Sequence, residues 1–337
     1  MFLYNQRFLN AIKLKEQNTP PIWFMRQAGR YHSHYQKLKE KYTFEQLCKN
    51  PELAAEVAIG PVNEFDFDLA ILFSDILFIL EGLGMDLTFN PGPIMGKKLD
   101  KNNYKKYQDI EKAINFLEFQ KKALQITREK LPKDKSLIGF VGGPWTVLNY
   151  ALGKDNRINL EKDSFIFSFF KETFIPLLIQ NIKLQIDGGA EIVMILDSGL
   201  QNMDTKNFEK YYTLFLKDLS RNYSDNIAYY ARGVSELEFS KLCNLNFAGL
   251  GCDSSINIKN CLKKNKYKFF QGNFDQNKML LEKEDLKKEL DIYCNDFLSL
   301  TPQQRAGWIC GLGHGINKNT SEKNVHFFIE TIRKQFT

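Results

Sequence analysis

The chain is poor in the residue patterns that announce metal, thiol or serine chemistry. It carries four histidines and six cysteines in 337 residues, with no CxxC, no HxC and no HExxH, so neither a zinc centre nor a dithiol motif is at hand. GxSxG is absent, which removes the serine-hydrolase elbow. Neither GxGxxG nor GxxxxGK[ST] follows an early apolar run, so the loops that cradle dinucleotides and nucleoside triphosphates are missing. The apolar stretch 69–80 is broken by Asp75 and too short to span a bilayer. The opening MFLYNQRFLNAIKLKEQ lacks the apolar core of a signal peptide and reads as a short amphipathic helix. Low-complexity tracts, repeats and Pro/Ser-rich linkers are also missing, so a single domain over 1–337 is expected. Charge of one sign is not concentrated anywhere. The 46 basic and 40 acidic residues give +6, which agrees with an acidic ligand and makes a poor case for nucleic acid. Unpaired thiols without a secretory segment point to a reducing cytoplasm and away from a membrane.

What the chain does have is a regular order of apolar runs of strand length. Eight are found, at 22–25, 69–73, 137–141, 192–196, 227–231, 247–250, 268–270 and 307–310. Helical spacing fills most of the gaps, at 51–65, 110–130, 165–186, 205–223, 235–243, 278–297 and 321–334. Eight strands alternating with helices predict an α/β fold, a single (β/α)8 TIM-type barrel with its active site at the C-terminal ends of the strands. An open doubly wound sheet is the competing architecture.

In a barrel of that kind chemistry collects where strands feed into loops. The first such segment, PIWFMRQAGRY at 21–31, puts Arg26 and Arg30 around Gln27, Ala28 and Gly29 directly after an apolar run. Two readings stand for the arginine pair, solvated surface charge or a clamp for a ligand with several acidic groups. The second strand yields Ser74 and Asp75. Asp75 is a helix cap or ion-pair partner on one reading; on the other, its apolar flanks make it a desolvated carboxylate that needs a partner or ligand. Tyr150 lies two turns into a helix opened by Gly142, Gly143 and Pro144. Later strand ends carry Asp197, Ser198, Arg232, Gly233 and Asp253, then QGNFDQ, then His314 between two glycines. Tyr150 is equally well core, Asp197 and Ser198 a helix cap, and His314 a turn histidine. His32, His34 and His326 stand in polar stretches and are expected to be solvated. Cys252 and Cys310 are the only thiols in glycine-framed loops. The residue types leave an arginine-rich, single-carboxylate pocket without a metal.

PIWFMRQAGRY, FSDIL, GGPWTVLNYALG, LDS, QGNFD and GLGHG, in this order along essentially the whole chain, resemble the uroporphyrinogen decarboxylase family of haem biosynthesis. The resemblance implies a (β/α)8 barrel, usually a homodimer, that decarboxylates the four acetates of uroporphyrinogen III to give coproporphyrinogen III with no cofactor or metal. It also implies that Arg26, Gln27, Ala28, Gly29 and Arg30 bind substrate, that Asp75 is the central aspartate, and that Tyr150, Ser198 and His314 line the pocket. On that basis Asp75, Arg26 and Arg30 are the expected catalytic residues. Tyr150, Ser198 and His314 are expected on the peripheral carboxylates.

The chain departs from the family pattern at several loops. His32, Ser33 and His34 stand where Leu-Pro-Glu is usual, Lys39 falls on a basic position, and Arg232 replaces a lysine. Gly199 and Ser254 replace tryptophans, and Lys318 and Ser321 stand where prolines are common. Two further readings share the fold: a corrinoid-dependent methyltransferase, which would need zinc ligands at strand ends, and a non-catalytic porphyrinogen-binding relative, which would be expected to lose Asp75 or an arginine.

Overall fold

The fold is taken from a computed structural model that describes residues 4–153, 160–161, 164–264 and 267–337. The apolar runs pair side by side as predicted. β1 (Leu69–Ile71) is followed by a short antiparallel hairpin, β2 (Leu87–Phe89) and β3 (Pro93–Met95), turned at Asn90 and Gly92. Then come β4 (Ser136–Gly142), β5 (Ile192–Asp197), β6 (Ile227–Ala231), β7 (Gly249–Gly251), β8 (Phe269–Gln271) and β9 (Trp308–Ile309). Apart from the hairpin the strands form one parallel sheet of seven, in the order β1-β4-β5-β6-β7-β8-β9. Sequential strands lie next to one another, joined by helices, which is the economical route for parallel pairing.

Both faces of the parallel strands are buried, and their packing follows the two-residue period of a strand. Leu69, Ile71, Ile192, Met194, Ala228 and Tyr230 belong to one apolar cluster, while Ala70, Val193, Ile195 and Tyr229, the residues between them, belong to another. The first cluster also takes in Ile309 of β9, so the sheet curls until its two ends share one interior. Phe8 and Ala11 of the N-terminal helix Gln6–Ile12 join that interior and plug it from outside. The second cluster lies between the sheet and its helices.

Local sequence explains where the helices start and stop. Asn50 caps Pro51–Phe65 through the Leu53 N–H, with proline in the first turn, and the chain leaves this helix at Asp66 in the left-handed region, φ 58°. Asp109 caps Ile110–Lys130 by accepting from Lys112. Phe165–Asp187 has, by length and composition alone, the apolar character to cross a bilayer, and half of its most apolar window is buried in the protein. It and the helical stretch 205–221 each contain one wide π-helical turn, Phe170–Phe174 and Phe208–Tyr212. The expected helix over 278–297 is observed as Lys283–Leu298 after a single tight turn.

The strand expected at 22–25 differs most from its sequence reading. It is reduced to one bridge, Ile22 to Cys310, so the regular sheet has seven strands, not eight. Pro20 and Pro21 have no N–H to offer a neighbour. The Ile22 N–H goes to the Asp68 carboxylate at 2.7 Å, and the Phe24 N–H goes to the Gln27 side chain at 3.2 Å. Backbone pairing survives on both sides of Ile22 all the same: Asp68 donates to Ile22 at 3.1 Å, and Cys310 donates to Pro21 at 2.9 Å.

His32 also departs from expectation. It is buried against Tyr31 and Phe65, its Nδ1 lacks a hydrogen-bond partner among the described residues, and burial pushes its pKa below the usual value. His34 and His326 stay half-exposed, facing Glu56 at 3.8 Å and Glu64 at 3.5 Å.

Asp68 is fully buried and accepts from Asn5, Arg7, Ile22 and Arg333 at 2.7–3.1 Å. Asp68→Ala leaves two partly exposed arginines and a buried backbone N–H unanswered, and is expected to cost about 1–3 kcal/mol, measured by urea unfolding.

Candidate active site

The site is built by the loops that leave the C-terminal strand ends. In the first loop Arg26 itself adopts the left-handed conformation, φ 63°, so the tight turn belongs to the arginine and not to Gly29. Gly29 matters through close approach, since a Cβ there would lie 3.2 Å from the Arg26 carbonyl. Gln27 is buried, donating from Nε2 to Leu69 and accepting at Oε1 from Phe24, so its side chain ties the loop to β1. Tyr31 donates to the Gln27 carbonyl at 2.7 Å, and Ala28 is buried beneath the turn. Arg26 and Arg30 are left exposed by this scaffold.

The eighth loop meets the first. Ile316 donates to the Met25 carbonyl at 3.0 Å, and Gly315 lies so close that a Cβ would stand 2.6 Å from Arg26 Cδ. Arg26 therefore lies over Gly315, beside His314.

Asp75 follows β1 and is half-buried. Its Oδ1 accepts from the Leu77 N–H at 2.9 Å. Burial raises its pKa above the usual carboxylate value, while that hydrogen bond and the Arg26 charge act in the other direction. Its apolar sequence neighbours Leu72, Phe73 and Leu77 are themselves buried. His314, half-buried, feels the same arginine. Burial first, then Arg26 and Arg232, push it down to about 4, with Asp253 opposing. The ring is neutral at pH 7. Asp253 is held by the Gly233 N–H at 2.5 Å and by the Ser255 N–H at 2.9 Å.

These observations gather Arg26, Asp75, Arg232, Asp253 and His314 at one mouth. Arg30 sits further along the first loop, where its charge acts on Tyr35. Tyr150 is half-buried at the edge of the core, and Ser198 is half-buried just after β5. Asp197 is a cap, though of a helix earlier in the chain. It is buried and accepts from the Thr146 N–H at 2.8 Å and from Tyr229 at 2.7 Å, and so fixes the start of Pro144–Ala151. Gly143 permits this, because any Cβ there would collide with Asp197. Cys252 and Cys310 are buried thiols pushed well above their usual range by burial, the opposite of an activated nucleophile. Among the described residues no three His, Cys, Asp or Glu side chains gather as a metal site. A separate cleft of about 600 Å³, lined by Phe239, Cys243, Cys261 and Lys268, lies elsewhere and holds none of the mouth residues.

One residue of the mouth, Tyr230, was not singled out from the sequence. Its hydroxyl is 2.9 Å from His314 Nδ1. The signal was present in IAYYARG, where period-two alternation puts Tyr230 on the interior face with Ala228.

Two outcomes check this geometry. The His314 ring resonances are expected to titrate with a midpoint near 4 by NMR, since burial and two arginines disfavour the charged ring; a midpoint near the ordinary 6.5 contradicts it. Gly315→Ala is expected to displace Arg26 and raise KM about tenfold, equivalent to about 1.4 kcal/mol, with little change in thermal midpoint.

The family model for uroporphyrinogen decarboxylase (URO-D) matches residues 3–335. Uroporphyrinogen decarboxylase of Orientia tsutsugamushi (strain Ikeda) is 34% identical, covering 97% of this chain and 98% of its own. That of Schizosaccharomyces pombe is 30% identical over 97% of this chain and 96% of its own. Among solved structures, a methyltransferase from Methanosarcina mazei superposes over 100% of both chains with a TM-score of 0.81 at 16% identity, a likeness of fold alone. With a family match over nearly its whole length and relatives above 30% identity on the same span, the chain belongs to the uroporphyrinogen decarboxylase family.

Proposed function

We propose that this chain removes carbon dioxide from the four acetate side chains of uroporphyrinogen III, giving coproporphyrinogen III in haem biosynthesis, as a carboxy-lyase that needs no cofactor. The observation that carries the reading is Asp75, a carboxylate desolvated at the mouth of the sheet within the field of Arg26. A porphyrinogen directs four pyrrole N–H groups toward its centre and eight carboxylates outward. Asp75 answers the first and the exposed arginines answer the second.

The chemistry follows from where charge develops. Protonation of a pyrrole carbon places positive charge on the ring. The carbon–carbon bond to the acetate carboxylate then breaks, carbon dioxide leaves and the bond's electron pair neutralises the ring; the methylene left behind takes a proton to become methyl and the ring carbon gives up the proton it had gained, so that one proton replaces each carboxylate. A fixed anion at the nitrogens lowers the cationic intermediate, and low local dielectric strengthens the effect. Arg26 or Arg30 orients the leaving acetate or delivers the proton. Tyr150 and Ser198 hold peripheral carboxylates, while Gln27, Ala28 and Gly29 shape the loop against the substrate.

The same reading extends to architecture. The backbone bonds from Asp68 to Ile22 and from Cys310 to Pro21 support closure of the sheet into an eight-strand barrel forming one domain. A homodimer in the cytoplasm goes with this assignment, and sedimentation should report twice the 39.2 kDa chain mass. Against a methyltransferase reading, the decarboxylases match at 30–34% identity, whereas the methyltransferase matches in fold at 16%.

Anaerobic incubation with uroporphyrinogen III and chromatography of the oxidised products is expected to yield porphyrins with seven to four carboxylates; their absence overturns the proposal. Asp75→Asn keeps the shape and removes the charge, and turnover is expected to drop about 10²–10³-fold, the scale of losing one preorganised electrostatic group. Asp75→Asn working at the unaltered rate would remove Asp75 from the mechanism.

A further inference from the structure

Four groups face His314: Arg26 from the first loop, Tyr230 on β6, Arg232 just after it, and Asp253 after β7. Tyr230 makes the direct contact, with Nδ1 2.9 Å from Oη and the two rings stacked at 5.9 Å and 15°. The same hydroxyl lies 2.9 Å from the Gly313 carbonyl. A phenol has one proton and a carbonyl oxygen only accepts. Both contacts are therefore satisfied in one arrangement, with Tyr230 donating to Gly313 and His314 Nδ1 donating to Tyr230. The other tautomer would leave the Gly313 contact as two lone pairs facing each other beside a buried ring, a costly arrangement.

The hydroxyl has little freedom to escape this role. Tyr230 is fully buried, and Gly251 on the neighbouring strand lies so close that a Cβ there would stand 2.9 Å from Tyr230 Cδ2. Asp253 acts on the ring through its charge, while its hydrogen bonds run to Gly233 and Ser255 and the contact made by Nδ1 is to Tyr230. Among the described residues Nε2 has no protein partner.

We infer that Tyr230 is a positioning residue: through the chain His314 Nδ1–H, Tyr230 Oη–H, Gly313 carbonyl it holds the imidazole proton on Nδ1 and presents Nε2 to the substrate as a hydrogen-bond acceptor. This deepens the proposed function and rests on it for the identity of the substrate. Burial and the flanking arginines keep the ring uncharged. An uncharged ring in this tautomer cannot donate to a carboxylate. His314 thus meets the donors of a porphyrinogen, its pyrrole N–H groups, and the acetates and propionates are left to the arginines and hydroxyls. This changes the part expected of His314 from carboxylate holder to acceptor.

Histidine-selective ¹⁵N NMR of the free protein reads the tautomer, with His314 assigned by its loss in His314→Gln. The expected result is a proton on Nδ1 in the unaltered protein and a shift toward Nε2–H in Tyr230→Phe, which keeps the stacked ring. A proton on Nε2 in the unaltered protein overturns the inference, and this decides the matter even if Tyr230→Phe does not fold. Activity supplies the second readout. Tyr230→Phe is expected to lower kcat/KM about tenfold, and to cost nothing further in a His314→Gln background. A Tyr230→Phe loss that persists undiminished in that background marks a packing role and overturns the positioning role. Because the tautomer is read without substrate, inactivity of the unaltered protein counts against the proposed function and leaves the hydrogen-bond chain standing.

Discussion

Asp68 is the interaction on which the molecule hangs. A carboxylate with no access to water needs every lone pair answered. Here the donors come from four separate places: the N-terminal cap residue Asn5, the following helix at Arg7, the backbone at Ile22, and the C-terminal helix at Arg333. One side chain beside β1 thereby gathers both ends of the chain and the segment that precedes the arginine loop. It also explains why that segment is not a regular strand, since the N–H a neighbouring strand would have taken is already bound.

The arginine loop inherits its position from this junction. Ile22 is fixed by Asp68, Phe24 and Leu69 by the buried amide of Gln27, and Met25 by Ile316. At the next residue the chain turns through a left-handed Arg26, a conformation that costs a non-glycine residue energy and persists where surrounding contacts over-determine it. The charge is thus held over Gly315 and toward Asp75 by a frame of buried amides. Its side chain is exposed and lies against Gly315.

Much of this was legible in the sequence, and the parts that were not share a cause. β5 and β6 are buried along almost their whole length, and their residues announced themselves as strands because both faces of a parallel sheet are apolar. The helices expected at 51–65 and 110–130 form with those bounds. The hairpin 87–95 was missed because three-residue strands carry too little periodicity, although Asn-Pro-Gly marked its turn. The burial of His32 is not evident beside the polar Ser33 and His34, because Phe65, which covers it together with the adjacent Tyr31, comes from a remote part of the chain. In the candidate site, Arg26 and Asp75 were visible as residue types next to strand ends. Tyr230 was not, because a tyrosine in an apolar run looks like packing until its hydroxyl is seen between a histidine and a carbonyl.

The plug made by Phe8 and Ala11 has a further consequence for how a large ligand can be handled. With Trp23, Met25, Tyr230 and Phe269 filling the interior above that plug, the sheet encloses side chains instead of a tunnel. The filled interior leaves the rim of the sheet, where the loops of Arg26 and His314 meet, as the face open to a large ligand.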